Sequence, residues 1–143
     1  MTGPQASSLQ VARRALAQRA GPHTGAEAIV VAARCAYDDL IRVAAPLIGE
    51  VGVEALTGRA LHLAQRSYPW LVLTPEPDQS KEAFARFLIC LERQEPAVAA
   101  EAAEAVFALV SGLFVTFIGD SLTAGLLKKA WPDAFADAST GDK

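Results

Sequence analysis

The stretch that decides the fold runs from Glu104 to Pro132 and reads EAVFALVSGLFVTFIGDSLTAGLLKKAWP. It holds the longest uncharged run of the chain, the fifteen residues from Ala105 to Gly119. A membrane-spanning helix needs about eighteen or more apolar residues, so this run is short for a span. The surrounding apolar patterns are amphipathic and need a shared core, which a helix that is apolar on every side supplies. We therefore expect a buried hydrophobic central helix over about residues 97–118.

The rest of the chain also has helical spacing. Phe84, Phe87, Leu88 and Leu91 follow the i, i+3, i+4, i+7 pattern of an amphipathic helix. A second apolar series, with alternating spacings of four and three, consists of Ile29, Ala33, Ala36, Leu40, Val43 and Leu47. No segment alternates as a strand does, and no internal repeat is visible in the sequence. These patterns predict an all-α fold, a single compact bundle of five to six helices.

The length and the ends of the chain bound its domain organisation. The 143 residues suffice for one domain with its own core and are too few for two. We expect a single helical domain over residues 9–135, between flexible ends at residues 1–8 and 136–143. The first of these ends is polar and carries glycine and proline, which is typical of a frayed terminus.

Composition and charge narrow the function classes. Alanine is abundant and asparagine is absent, which favours helix and suggests a GC-rich bacterial genome. The net charge is −3, and neither half of the chain carries the dense basic stripe that phosphate binding needs. Arg13 and Arg14 interrupt any apolar signal-peptide core. We expect a cytoplasmic protein that does not bind nucleic acid.

The metal- and redox-active residue types are few. Cys35 and Cys90 both lie in apolar helical patterns, so each is expected to be a buried free thiol, although a disulfide between them stays open. His23 and His62 show no ligand spacing with these cysteines or with carboxylates. No phosphate-binding glycine loop is present. The sequence therefore predicts neither a metal site nor a cofactor.

One segment resembles a catalytic motif. Residues Val115 to Gly125, VTFIGDSLTAG, are similar to the first block of the GDSL (SGNH) hydrolases. The resemblance covers eleven of 143 residues. It implies an α/β fold in which Ser121 would be the acyl-transfer nucleophile.

The rest of that catalytic set is missing from the chain. A serine hydroxyl needs a base to take its proton, and the family places this histidine downstream of the serine. Only 22 residues follow Ser121, and none is histidine. The asparagine of the family's oxyanion hole has no counterpart, since the chain has no asparagine. We therefore interpret the match at Gly119–Leu122 as coincidental and expect no enzymatic activity.

The same segment has a structural interpretation. Gly119 is expected to turn the chain, and Asp120 or Ser121 to cap the helix that follows. Leu122 and Leu126 are expected to face the core. Upstream, Gly112 lies in the middle of a predicted helix, where glycine costs about 1 kcal/mol relative to alanine. Close approach of another helix, from this chain or a second copy, would offset that cost.

Large apolar side chains form the candidate binding site. Two tryptophans, Trp70 and Trp131, end predicted helices beside prolines, where they plug the bundle or form an interface. A possible ligand cavity or interface is assigned to Phe84, Phe87, Phe107, Gly112, Phe114, Phe117, Trp70 and Trp131, and Leu113 could also line a cavity.

Three functions are compatible with this sequence. The leading hypothesis is a non-enzymatic protein–protein interaction module, a regulatory or adaptor domain that associates with itself as a homodimer or larger homo-oligomer. The alternative is a sensor or carrier of a small apolar molecule, because helical bundles form apolar cavities between helices. A membrane-associated helical protein is the third hypothesis, and it rests on the uncharged run alone.

Overall fold

The computed structural model describes residues 10–17, 25–71 and 83–132, and six helices lie within these ranges. Helix α1 covers residues 10–17, and the others are α2 (Ala26–Ile48), α3 (Glu50–Ala64), α4 (Ala83–Glu92), α5 (Pro96–Ile118) and α6 (Asp120–Ala130). No strand occurs among these residues, so the predicted all-α bundle is confirmed. The flexible ends predicted for residues 1–8 and 136–143 lie outside the described residues.

Helix α5 begins and ends where local signals place its ends. Pro96 is its first residue, a position where the missing N–H of proline costs nothing. Gly119 ends it, and the Gly119 N–H donates to the carbonyl of Val115 at 2.8 Å. The neighbouring helices α2, α3, α4 and α6 all contact α5, which confirms its central place.

The burial of α5 is one-sided, although the helix is apolar on nearly every side. Its buried face consists of Ala99, Ala102, Ala103, Val106, Phe107, Val110, Ser111 and Phe114. On the opposite face, Ala108, Gly112 and Val115 are only half-buried. The neighbouring helices therefore bury one side of α5 fully and cover the other side in part.

Helix α2 has the same length as α5 and ends in the same way. Both helices contain 23 residues, and each residue of α2 has a counterpart 70 positions later in α5. Pro46 lies inside α2, which continues through it to Ile48. Ile48-Gly49-Glu50 then corresponds to Ile118-Gly119-Asp120, and the glycines share φ/ψ values of 84°/154° and 94°/164°.

The buried positions repeat with the same offset. Equivalent buried pairs on α2 and α5 are Ala32 and Ala102, Ala33 and Ala103, Ala36 and Val106, Tyr37 and Phe107, Leu40 and Val110, and Ala44 and Phe114. On the following helices they are Val53 and Thr123, Thr57 and Leu127, Ala60 and Ala130, and Leu61 and Trp131. Helix α3 packs against α5, just as α6 packs against α2. The fold is thus a structural repeat of two interlocked helical hairpins.

The sequence analysis did not find the repeat, because the two halves have few identical residues. When residues 26–61 are aligned with 96–131, only six positions are identical: Ala32, Ala33, Ile48, Gly49, Leu56 and Ala60. Two of these identities form the turn, and most others are alanine, which is common throughout the chain. The conserved property is burial rather than residue type.

Helices α2 and α5 run in the same direction, with equivalent positions at the same level. Ile29 and Ala32 near the start of α2 line one cavity together with Ala100 and Glu104 near the start of α5. Further along, Tyr37 and its equivalent Phe107 both contact the ring of Phe84. The turns at Gly49 and Gly119 therefore lie at one end of the bundle, which we call the glycine end.

Alanine at either turn glycine should destabilise the fold. The φ and ψ of Gly49 and Gly119 fall in a region that is accessible essentially to glycine alone, and a side chain held there costs about 1–3 kcal/mol. Gly49→Ala and Gly119→Ala should each lower the free energy of unfolding by such an amount, as measured by urea denaturation.

Gly58→Ala is the matched control for these variants. Gly58 lies inside α3, and a Cβ built on it meets no atom within 4 Å. Alanine there should stabilise the protein by up to about 1 kcal/mol through helix propensity. Equal effects of all three substitutions would contradict the turn geometry.

Candidate functional site

Most of the predicted site residues form the aromatic core of the bundle. Phe84 stacks on Tyr37, with ring centroids 4.0 Å apart, and also contacts Phe87 and Phe107. Phe107 in turn meets Trp131 edge-to-face at 5.7 Å. The predicted residues Phe84, Phe87, Phe107 and Trp131 are buried, and so is Phe114. The rings fill the interior by packing against one another and against aliphatic side chains of the core.

The two tryptophans have different environments. Trp131 is fully buried, and its Nε1–H donates to the backbone carbonyl of Ala36 at 3.0 Å. It therefore satisfies its polar atom while it joins the end of α6 to the middle of α2. Trp70 is partly buried and meets Tyr68 edge-to-face at 5.8 Å. The plug interpretation fits Trp131 well, whereas Trp70 lies at the rim of the core.

Tyr37 is the ionisable residue that belongs to this core. Burial raises the pKa of the Tyr37 phenol above its usual value, and the carboxylates of Glu54 and Asp38 raise it further. A hydrogen bond with Thr57 acts in the opposite direction. A phenol with a raised pKa stays neutral near pH 7, so Tyr37 supplies packing area and one hydrogen bond rather than a charge.

Phe117 and Leu122 do not face the core. Phe117 is 63% exposed and Leu122 is 55% exposed, so the prediction that Leu122 packs inward with Leu126 is wrong. Both residues lie beside the Gly119 turn, where the chain reverses and projects past the last buried layer. An exposed Phe117 fits the interface alternative made for it from the sequence better than the cavity alternative.

Gly112 has no close neighbour in the described structure. A Cβ built on Gly112 meets no atom within 4 Å. No described residue makes the predicted close helix crossing, because the described helices cover this face of α5 only in part. The second-copy alternative for this residue stays a prediction.

The two cysteines are free thiols, and the predicted burial is wrong for Cys35. Cys35 is exposed and Cys90 is partly buried. Cys35 lies on the outward side of α2, one position before the buried Ala36. The apolar series of α2 runs through Ala33, Ala36 and Leu40, which are all buried, and Cys35 lies outside that series.

The segment that resembles a hydrolase motif forms a tight turn and a helix start. Gly119 is the N-cap of α6, and no side chain makes a capping hydrogen bond there, so the predicted cap by Asp120 or Ser121 is wrong. Ser121 is exposed. His62 lies in the last turn of α3, about 18 Å along the helix axis from the glycine end. The other histidine, His23, lies outside the described residues.

Ionisable groups elsewhere offer no cluster for metal chemistry. In the ranges that the structure describes, no group of three or more His, Cys, Asp or Glu side chains could hold a metal ion. Arg13 pairs with Glu104 at 3.3 Å, and Arg42 pairs with Asp39 at 3.4 Å; both arginines are largely exposed. Such surface pairs contribute about 1 kcal/mol or less.

An apolar cavity of about 220 Å³ lies between α1, α2 and α5. Its lining includes Leu16, Ile29, Ala32 and Ala100, and the Arg13–Glu104 pair stands at its rim. None of the predicted aromatic site residues lines it. The sequence analysis did not find this cavity, because three of its seven lining residues are alanine and none is aromatic, so no residue type in it signals empty space.

Helices α1 and α4 precede the two halves of the repeat and differ in the size of their buried side chains. Helices α1 and α4 have the same spacing of buried residues, with Ala12, Ala15 and Leu16 on α1 and Phe84, Phe87 and Leu88 on α4. Helix α4 packs on α2, while α1 reaches α5 through Arg13 and Glu104. Two alanines thus occupy positions where the other half of the repeat has two phenylalanines.

The largest exposed apolar side chains cluster at the glycine end. Among the described residues, six large apolar side chains are exposed, and four of them flank the two glycine turns. These four are Leu47 (52% exposed), Val51 (77%), Phe117 (63%) and Leu122 (55%), and we call them the turn surface. The other two, Val31 and Ile89, lie on α2 and α4, away from the turns.

Helix α5 also has the length and composition of a membrane span. It is the one described helix that meets this criterion, and 44% of its apolar window is buried in the bundle. Core helices of soluble proteins pass the same test. Four other helices pack against α5, which accounts for its apolar face without a membrane.

No protein-family model, no curated protein and no solved structure matches this chain.

Gly112→Ala should stabilise the isolated chain. Nothing in the described structure occupies the space that the added methyl group needs, and alanine is the better helix former by about 1 kcal/mol. We expect a higher free energy of unfolding in urea at concentrations where the protein is dilute. A loss of stability under those conditions would show that a neighbour within the chain packs against Gly112.

Proposed function

We propose that this protein is a non-enzymatic interaction module, a regulatory or adaptor domain that associates with a second copy of itself. One observation carries the proposal: large apolar side chains are exposed together at the glycine end instead of being scattered over the surface. Clustered apolar exposure is typical of protein–protein contact sites, whereas single exposed apolar residues are ordinary.

The lack of charge on α5 supports the same proposal. Its half-buried residues Ala108 and Gly112 are structurally equivalent to Asp38 and Arg42 on α2, which are exposed charged residues. This side of α5 has no charge beyond Glu104 and up to Asp120, and it continues to the exposed Phe117 at the glycine end. The apolar character of the turn surface is therefore continuous with that of α5.

The chemistry of the described residues favours binding over catalysis. Ser121 stands on an exposed turn, and the one described histidine lies far along α3 from it. A serine nucleophile requires a base within hydrogen-bond reach. The helical fold also differs from the sheet-based architecture that the hydrolase resemblance implies. A cytoplasmic location and a bacterial source are part of the proposal and rest on composition alone.

Sedimentation velocity over a range from low to high micromolar concentration tests the proposal. We expect the weight-average mass to rise with concentration from the 15.1 kDa of one chain towards twice that value. Circular dichroism at each concentration checks that the helix content is unchanged. A single 15.1 kDa species at every concentration would contradict self-association.

A second candidate function is the sensing or carriage of a small apolar molecule, and the cavity between α1, α2 and α5 favours it. Its volume of about 220 Å³ exceeds the roughly 150 Å³ at which an engineered apolar protein cavity binds benzene. The Arg13–Glu104 pair at the rim could cover a bound molecule without being part of the apolar wall.

Indole is a suitable probe, because its flat ring fits a cavity of this volume. We expect indole to shift the amide resonances of Ala32 and Ala100 in a two-dimensional NMR titration. Ala100→Leu places a larger side chain in the cavity and should abolish the shifts. Ala97→Leu, on the exposed side of the same helix, should leave them unchanged. Identical titrations of the two variants would rule out this site.

A further inference from the structure

We propose that the turn surface is the self-association interface, and that two copies of this chain meet there, glycine end to glycine end, about a two-fold axis. The inference rests on the proposed function, and it adds the surface and the partner. It is drawn from the internal repeat, from the exposed area at the turns and from the charges around them.

The repeat makes the glycine end resemble itself after a half-turn. Leu47 and Phe117 are structurally equivalent, and each lies two residues before its turn glycine. Both are large, apolar and more than half exposed. In a two-fold dimer the same patch is used by both copies, so residue i of one meets residue j of the other and the reverse. A patch with two equivalent apolar ridges fits this arrangement, since Phe117 of one copy can pack beside Leu47 of the other.

The exposed area agrees with what a stable dimer needs. From their exposed fractions, the four side chains of the turn surface together present roughly 400 to 500 Å² of apolar surface, which is the size of the largest, often functional, apolar patch on a typical monomer. A standard interface buries about 800 Å² on each partner, and a little over half of it is apolar. The turn surface therefore supplies the apolar part of an interface of standard size.

The charges around the turn surface disfavour a lipid membrane as the partner. Between residues 43 and 56 and between 113 and 127, the charged side chains are Glu50, Glu54 and Asp120. All three are acidic, so an anionic lipid surface would be repelled. Glu50 and Asp120 lie in the first turns of α3 and α6, where the helix dipole favours a negative charge, so they have a structural role of their own.

The same charges give the dimer a recognisable salt dependence. A two-fold contact brings acidic groups of both copies towards one another, while burial of the apolar side chains drives association. Added salt screens the repulsion and leaves the apolar contact intact, so the dimer should tighten as salt rises. A basic protein partner would show the opposite dependence, because salt weakens attraction between unlike charges.

A pair of double variants tests the assignment with the full chain. Leu47→Gln with Phe117→Gln removes apolar area from both equivalent turns. Val31→Gln with Ile89→Gln removes the two exposed apolar side chains that lie elsewhere in the described structure and serves as the matched control. Circular dichroism and thermal unfolding establish that both variants keep the fold, which is expected because all four positions are exposed.

Sedimentation equilibrium at low and high sodium chloride gives the dimer dissociation constant. We expect the turn variant to weaken the dimer at least tenfold, roughly the effect of losing central interface residues, and the control to change it little. We also expect the wild-type dimer to be tighter at high salt. If the control variant weakens the dimer and the turn variant does not, the assignment of the turn surface as the interface is wrong, while the proposed function still stands. A wild-type protein that is monomeric at every concentration and salt would overturn both.

Discussion

The tight turns at Gly49 and Gly119 are the constraint on which the rest of the structure depends. Each reverses a 23-residue helix with a single residue outside helical structure, and each has a backbone conformation that is almost restricted to glycine. Because the next helix begins at once, it must lie against its predecessor. The two resulting hairpins interlock, with α3 on α5 and α6 on α2, and the aromatic core around Phe84 fills the space between them.

Local signals made part of this fold predictable from the sequence. The bounds of α5 are within one residue of expectation, because Pro96 and Gly119 restrict the backbone through their own covalent structure. The buried face of α4 follows its apolar spacing. The spacing of apolar residues does not show which helix packs against which. The sequence analysis expected Gly112 to lie at a helix crossing and Leu122 to lie in the core, yet no helix in the described structure packs closely against either. Of the turn surface, the sequence analysis assigned only Phe117 to a possible interface, because an exposed surface is defined by the neighbours that its residues lack.

The repeat shows how little residue identity a shared architecture requires. Ala44 and Phe114 are equivalent and both fully buried, as are Leu61 and Trp131. A core needs apolar atoms that fill its volume, and a small side chain on one helix can be balanced by a large one on another. Trp131 needs one thing more, a partner for its N–H, and the carbonyl of Ala36 supplies it. The two halves therefore agree in burial, helix length and turn geometry although they share few residue types.

Residue differences between equivalent positions of the two halves bear on function, because they show at which positions the fold does not depend on residue type. At exposed positions the fold accepts either polarity: Val31 on α2 corresponds to Glu101 on α5, and Val51 on α3 corresponds to Ser121 on α6, and all four are exposed. Polar side chains would therefore fit equally well at Leu47 and Phe117, where water would solvate them. Leu47 and Phe117 are nevertheless both large and apolar, although the two halves have few identical residues. Packing within the chain does not explain why both positions are apolar, because both side chains are more than half exposed. A partner that contacts both turns at once does explain it.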